Sequence, residues 1–160
     1  MTQAKEIQSL ARLYKEECGL AEIDVEDFSD WMVKKGWPLP APVSPMERLA
    51  RTISSALREE IRYDALTGRP YRANHAYPVG TNGQRTLWSW IDIDEAPREP
   101  MRKSLQTRRE QMVGDGLQLS LDADHWNATH SDEQPIMVQL DFTDDVEWRK
   151  NAPDENAKAG

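Results

Sequence analysis

Four arginines recur at helical spacing just after the proline-rich stretch 37–45. They are Arg48, Arg51, Arg58 and Arg62. At about 100° per residue, they fall on one strip of a helix, roughly opposite its apolar residues. Forked guanidinium donors suit phosphates and carboxylates, and they can also stack on bases. The strip therefore predicts phosphate contacts to a nucleic acid. The alternative is a solvated helix face whose arginines pair with neighbouring glutamates.

A second group of candidate residues lies on a predicted β-hairpin. Segments 71–79 and 85–94 alternate in polarity, and Asn82-Gly83 lies between them. An Asn-Gly pair between two alternating segments is typical of a tight hairpin turn. We therefore expect two antiparallel strands with that pair at the centre of the turn.

This turn fixes the expected cross-strand pairs of the hairpin. It places His75 opposite Trp90, and Tyr77 opposite Trp88. One face then carries three large aromatic rings, Tyr77, Trp88 and Trp90, which could stack on bases as they do in proteins that bind single strands. The same rings could instead form core, because a two-stranded ribbon is marginal unless one face is buried.

Residues for enzyme chemistry are sparse. The segment 74–78 (Asn-His-Ala-Tyr-Pro), together with Asn127 and His130, superficially resembles HNH nucleases, which implies metal-dependent hydrolysis. That family holds its metal in a compact ββα unit, whereas a long predicted helix separates the two parts here. His125 and His130 are also five residues apart, which does not place them on one helical face. We predict no catalytic residue, metal or cofactor, and a metal-dependent hydrolase using His75, His125 and His130 is the least favoured alternative.

Charge and composition limit the remaining function classes. The 160 residues carry a net charge of −8, and residues 118–160 contain ten acidic and three basic residues. The acidity excludes indiscriminate binding to nucleic acid or anionic lipid, but the nearly balanced body permits a local basic site. A single cysteine cannot form an internal disulfide, and neither a leader pattern nor a long apolar run is present. These features favour a cytoplasmic protein without a membrane partner.

Three helices are predicted before the hairpin, over residues 3–18, 25–35 and 45–63. Asp24 is placed to cap the second helix, and Ser44 to cap the third, which has proline at its first position. The order helix, helix, helix, hairpin resembles a winged-helix DNA-binding domain. The long connection between the second and third helices departs from that family, because helix-turn-helix units use a turn of about three or four residues.

After the hairpin, the pattern predicts one long helix over 97–127 and a third strand over 136–142. Apolar residues seven apart, namely Leu105, Met112 and Leu119, suit packing along another helix. This spacing gives the main alternative function, a protein–protein adaptor that assembles through the long helix, with a homo-oligomer as one possible product.

The predicted fold is a single α+β domain over residues 1–142, followed by an acidic flexible tail over 143–160. The predicted function is a non-catalytic cytoplasmic binding module. Its partner is expected to be a nucleic acid or an acidic protein that contacts the basic surface of the third helix.

Overall fold

The structure is a computed structural model that describes residues 2–152. Its helices are α1 (Gln3–Cys18), α2 (Val25–Lys34), α3 (Pro45–Glu59), α4 (Arg98–Thr129) and α5 (Thr143–Asn151). Its strands are β1 (Ile61–Tyr63), β2 (Pro70–Arg72), β3 (Asn74–Asn82) and β4 (Arg85–Asp92), which form two separate antiparallel pairs. The predicted α+β class is confirmed. By contacts, the chain divides into two units, Met1–Arg48 and Leu49–Gly160.

The first unit is organised by α1 and α2. The Asp24 side chain accepts hydrogen bonds from the backbone N–H groups of Glu26 and Asp27, so the predicted cap of α2 is present. Three buried side chains form the core of this unit, namely Tyr14, Phe28 and Met32. The Tyr14 and Phe28 rings lie 5.2 Å apart between centroids, which is within the range of favourable aromatic pairs.

Helix α3 begins as predicted but ends earlier. Ser44 Oγ accepts a 3.1 Å hydrogen bond from the Glu47 N–H, as the capping pattern indicates. The prediction that this helix continues to residue 63 is wrong, because Ile61–Tyr63 is β1, which pairs with Pro70–Arg72. β-Branched and aromatic residues fit a paired strand better than a helix end, and helical periodicity alone did not reveal the strand partner.

The hairpin of β3 and β4 is present, but its turn is one residue later than predicted. Asn82 pairs with Arg85, so the two turn residues are Gly83 and Gln84. Gly83 has a φ of 62°, the left-handed conformation that the first position of a type II′ turn requires.

A β-bulge between Pro78 and Gly80 then changes which residues share a face. Below the bulge, Trp90 pairs with Ala76, and Trp88 pairs with Pro78. The predicted pairs of His75 with Trp90 and Tyr77 with Trp88 are therefore wrong. Because the extra residue reverses the alternation of β3, Tyr77 lies on the face opposite the two tryptophans.

The long helix is confirmed as α4, and no described helix has both the length and the apolar character that a membrane span needs. Residues 136–142 do not form the predicted third strand. Instead, the Asn127 side chain donates to the Ile136 carbonyl at 3.0 Å and accepts from the Ile136 N–H at 2.8 Å. Farther along the segment, Leu140 lies over Gly116. The alternating apolar residues thus run beside a helix, which the two-residue period did not distinguish from a sheet.

The predicted flexible tail also differs in part. Its first nine residues form α5, Thr143–Asn151. The end of the predicted tail, residues 153–160, lies outside the described part of the chain.

The aromatic core of the first unit gives a direct stability test. We expect Phe28→Ala to lower the free energy of unfolding by about 3 kcal/mol, because it removes a buried ring and leaves a cavity. Val25→Ala, at an exposed position on the same helix, should change it by less than about 0.5 kcal/mol. Urea unfolding followed by tryptophan fluorescence measures both, and equal effects would contradict the assigned core.

Candidate functional site

The second unit contains a cavity of about 480 Å³, which we call the arginine pocket. The end of α3, the β3–β4 hairpin and the first half of α4 surround it. Its lining includes Arg58, Arg72, Asn74, His75, Trp88, Trp90, Ser104 and Arg108. No aspartate or glutamate is found among the described residues that line it. Concave sites with a few convergent polar groups are where small ligands and flexible chains bind.

The three arginines give the pocket its charge. Arg58 comes from α3, Arg72 from the end of β2, and Arg108 from α4. Within residues 2–152, no carboxylate lies within the 4.0 Å ion-pair distance of any of these three guanidinium groups. Guanidinium donors match the oxygens of phosphate or carboxylate, so groups of this kind can bind an anion.

Two tryptophans supply aromatic surface next to this charge. The Arg58 guanidinium carbon lies 5.6 Å from the centroid of the Trp90 ring, a cation–π distance. Trp88 remains 49% exposed, and Trp90 is partly buried. The hairpin face that carries Trp88 and Trp90 is thus partly buried, and both rings line the cavity.

Ser104 is the most unusual residue of the pocket. Its side chain is 1% exposed, and its Oγ has no hydrogen-bond partner among the described residues. Helical serines commonly satisfy their hydroxyl by bonding to a carbonyl one turn earlier, and this serine does not. An unsatisfied buried hydroxyl costs about 1–3 kcal/mol and calls for a partner.

His75 fixes one wall of the cavity. The ring is buried, and its Nε2 lies 3.0 Å from the Arg72 carbonyl oxygen. Because a carbonyl oxygen only accepts, Nε2 donates and carries the proton. This bond joins β3 to the end of β2 and so positions the backbone from which the Arg72 side chain extends.

The fourth predicted arginine, Arg62, is used inside the protein. Arg62 belongs to β1, so the prediction that it lies on a helical strip with the other three arginines is wrong. Its guanidinium bonds Asp92 at 2.8 Å, Asp94 at 2.7 Å and Glu60 at 2.9 Å. We call these four residues the Arg62 network. With three carboxylates around it, Arg62 does not offer its donors to an external phosphate.

The Arg62 network shifts the titration of its members. The hydrogen bond from Arg62 lowers the pKa of Asp92 below its usual value. Glu60 has a lowered pKa because Asn74 and then Arg62 donate to it. The hydrogen bonds of Arg62 to Asp92, Asp94 and Glu60, of which that to Asp92 has the largest effect, raise the pKa of Arg62 above its usual value. The charged forms are thus the ones that the fold stabilises.

The remaining predicted residues lie elsewhere. Arg48 and Arg51 are on α3 but do not line the arginine pocket. Tyr77 is on the other face of the hairpin. Leu105, Met112 and Leu119 are on α4, with 53%, 59% and 45% of their surfaces exposed. The structure thus brings together Arg58, Trp88 and Trp90 from the predicted set.

The histidines do not form a metal centre. Between residues 2 and 152, no three histidine, cysteine, aspartate or glutamate side chains are placed to hold a metal ion. His130 stacks on Trp126, with the ring centroids 4.5 Å apart, and its Nδ1 lies 3.0 Å from the Trp126 carbonyl oxygen. His75 lines the arginine pocket instead.

Arg72, Arg108 and Ser104 are pocket residues that the sequence patterns did not indicate. Arg72 lies in a strand of only three residues, and Ser104 is an ordinary serine on a helix. Arg108 belongs to a basic cluster early in α4, so its charge was visible, but its direction depends on how α4 packs on β3.

Comparison of the chain with protein-family models, with curated proteins and with solved structures gave no match. The geometry of the second unit therefore carries the functional inference.

The Arg62 network predicts a pH dependence of stability. Because the folded-state pKa values of Asp92 and Glu60 are lowered, their contribution is present above the unfolded values of about 4 and is lost as pH falls through the folded ones. We expect Arg62→Ala to lower the melting temperature at pH 7 and to reduce the loss of stability between about pH 5 and pH 2. Arg98→Ala, at a highly exposed arginine, is the control. Thermal melts at several pH values test this, and parallel curves for wild type and Arg62→Ala would contradict it.

Proposed function

We propose that this chain is a non-catalytic module that binds single-stranded nucleic acid in the arginine pocket. In this proposal, Arg58, Arg72 and Arg108 contact phosphate oxygens, and Trp88 and Trp90 stack on unpaired bases. The observation that supports it is that three arginines, which have no carboxylate partner in the described part of the chain, meet two accessible indole rings around one cavity. Proteins that bind single strands combine these two kinds of contact.

A single strand suits the site better than a duplex. Stacking on a tryptophan needs a base that has left its own stack, and bases in a duplex are covered on both faces. The cavity is also concave, whereas a groove-reading surface is a protruding helix or ribbon. In this proposal, the phosphate contacts expected from a helix strip are made instead by a pocket that receives separate nucleotides.

The proposed setting is the cytoplasm, where one free cysteine without a disulfide partner is ordinary. No catalytic step is included, because phosphate positioning and stacking suffice for binding. An acidic protein segment could also engage the arginines, but it would leave the indole rings without a stacking partner. Nucleic acid is therefore the favoured partner.

The decisive experiment is a salt titration of binding. A fluorescein-labelled single-stranded oligonucleotide and its duplex are titrated with the full chain, and anisotropy is recorded at several salt concentrations. We expect the single strand to bind more tightly, with an affinity that falls steeply as salt rises. Arg108→Ala should reduce the slope of log K against log salt by about 0.7, the value for one phosphate contact on a single strand.

Arg102→Ala is the matched control for that variant. Arg102 lies on the same helix, but it pairs with Glu99 at 3.0 Å and does not line the pocket. Its substitution should leave the slope unchanged. Trp88→Ala should weaken binding by about 1–3 kcal/mol at every salt concentration, because stacking is not a counterion effect. Absence of binding by the wild type at low salt, or equal slopes for Arg108→Ala and Arg102→Ala, would reject the proposal.

Ser104 provides a separate prediction about folding. Ser104→Ala removes a buried hydroxyl that has no hydrogen-bond partner among the described residues, so the free energy of unfolding should stay the same or rise by up to about 1 kcal/mol. Binding of the oligonucleotide should not change, because the Oγ atom is enclosed and does not reach the surface of the cavity. Urea unfolding and anisotropy on the same preparation measure both quantities. A destabilised variant would show that the hydroxyl stabilises the fold, and a variant that binds more weakly would show that the ligand reaches the hydroxyl.

A further inference from the structure

Helix α4 carries an apolar stripe that is distinct from the arginine pocket. The stripe consists of Leu105, Met112, Leu119 and Trp126, which are seven residues apart. The first three side chains are about half exposed, and Trp126 is partly covered. β3 contacts the beginning of the helix, where Met101 and Ser104 are buried. The pocket side of α4 carries Ser104, Thr107, Arg108 and Gln111, and Arg108 lies beside the stripe, so the two surfaces adjoin on the helix.

The exposed stripe continues onto the neighbouring segment 136–142. Val138, Leu140 and Phe142 are 36–42% exposed, and Asn127 fastens the beginning of this segment to α4. Leu140 lies over Gly116, so α4 and this segment both expose apolar side chains on the second unit. Surfaces of this kind mark association sites on proteins.

The charge distribution along α4 indicates the partner. The first half of the helix, residues 98–113, contains five basic and two acidic residues. The second half, residues 114–129, contains three acidic residues and no lysine or arginine. A second copy of the same helix in antiparallel orientation places each basic half beside an acidic half, whereas a parallel copy places like charge beside like.

The apolar stripe fits that orientation in one register. With the two-fold axis between Asp115 and Gly116, Met112 lies level with Leu119 of the second copy, and Leu105 lies level with its Trp126. Arg109 then lies level with Asp122. Each contact occurs twice, as an isologous interface requires.

We propose that the protein forms an antiparallel homodimer through the α4 stripe. The second copy covers the exposed apolar side chains, and the opposite charges of the two helix halves select the orientation. The stripe residues are not among those proposed to contact nucleic acid.

The wild-type chain itself provides the first test. Sedimentation velocity over the micromolar range should show a dimer, and a monomer at every concentration would overturn the proposal. Met112→Lys should weaken dimerisation about tenfold or more, because it places a charge in the apolar interface. Leu121→Lys is the matched control, since Leu121 is 54% exposed and lies on the opposite side of α4. Equal dimerisation constants for the two variants would also overturn it.

Cysteine cross-linking tests the orientation without relying on a destabilised variant. In a Cys18→Ser background, Asp115→Cys should form a disulfide-linked dimer under mild oxidation, because position 115 lies beside the axis. Leu105→Cys should not, since two copies of position 105 would be about 30 Å apart along the helix at 1.5 Å per residue. Cross-linking at position 105, or none at 115, would contradict the antiparallel register.

Discussion

The bulge between Pro78 and Gly80 decides which aromatic rings meet the arginines. A β-strand alternates its side chains, so one extra residue exchanges the two faces of everything beyond it. Below the bulge, Trp88 and Trp90 reach the cavity, and Tyr77 is turned away. Proline has no N–H to give to a ladder, so a local break in pairing beside Pro78 costs little. This single irregularity therefore separates Tyr77 from the two tryptophans.

The arginines of the second unit show how location determines the role of one residue type. Arg62 is held by three carboxylates and ties β1 to the end of β4. Arg58, Arg72 and Arg108 converge on a cavity whose described lining contains no acid. The same guanidinium chemistry thus stabilises the fold in one place and lines a cavity in another. The pKa of Asp92 is lowered because Arg62 stabilises its charged form, and the pKa of Glu60 is lowered because Asn74 and Arg62 do so.

Helix α4 serves two surfaces at once. The helix packs on β3 and completes the pocket, with Met101 and Ser104 buried, and it also presents the apolar stripe. A helix of 32 residues is long enough for both, because it extends about 48 Å at 1.5 Å per residue. Basic residues prevail in its first half and acidic residues in its second half, and apolar residues lie along one side. The proposed antiparallel second copy matches this distribution of charge.

Several features were readable from the sequence because they depend on neighbours in the chain. Asp24 and Ser44 mark helix starts, since a cap bonds N–H groups two or three residues away. The length of α4 and the existence of the hairpin also followed from local periodicity. Of the candidate site, Arg58, Trp88 and Trp90 were found in this way, because their spacing was itself the signal.

Contacts between distant parts of the chain decided the rest. Pairing with Pro70–Arg72 drew Ile61–Tyr63 out of the predicted helix, and packing beside α4 replaced the predicted third strand at 136–142. Arg72, Arg108 and Ser104 became pocket residues only where a strand end and a helix face came together. The sequence by itself determined where most helices and the hairpin form, and which segments carry arginine and tryptophan. The tertiary structure decided which of those side chains share a cavity, because that depends on register and packing between residues far apart in the chain.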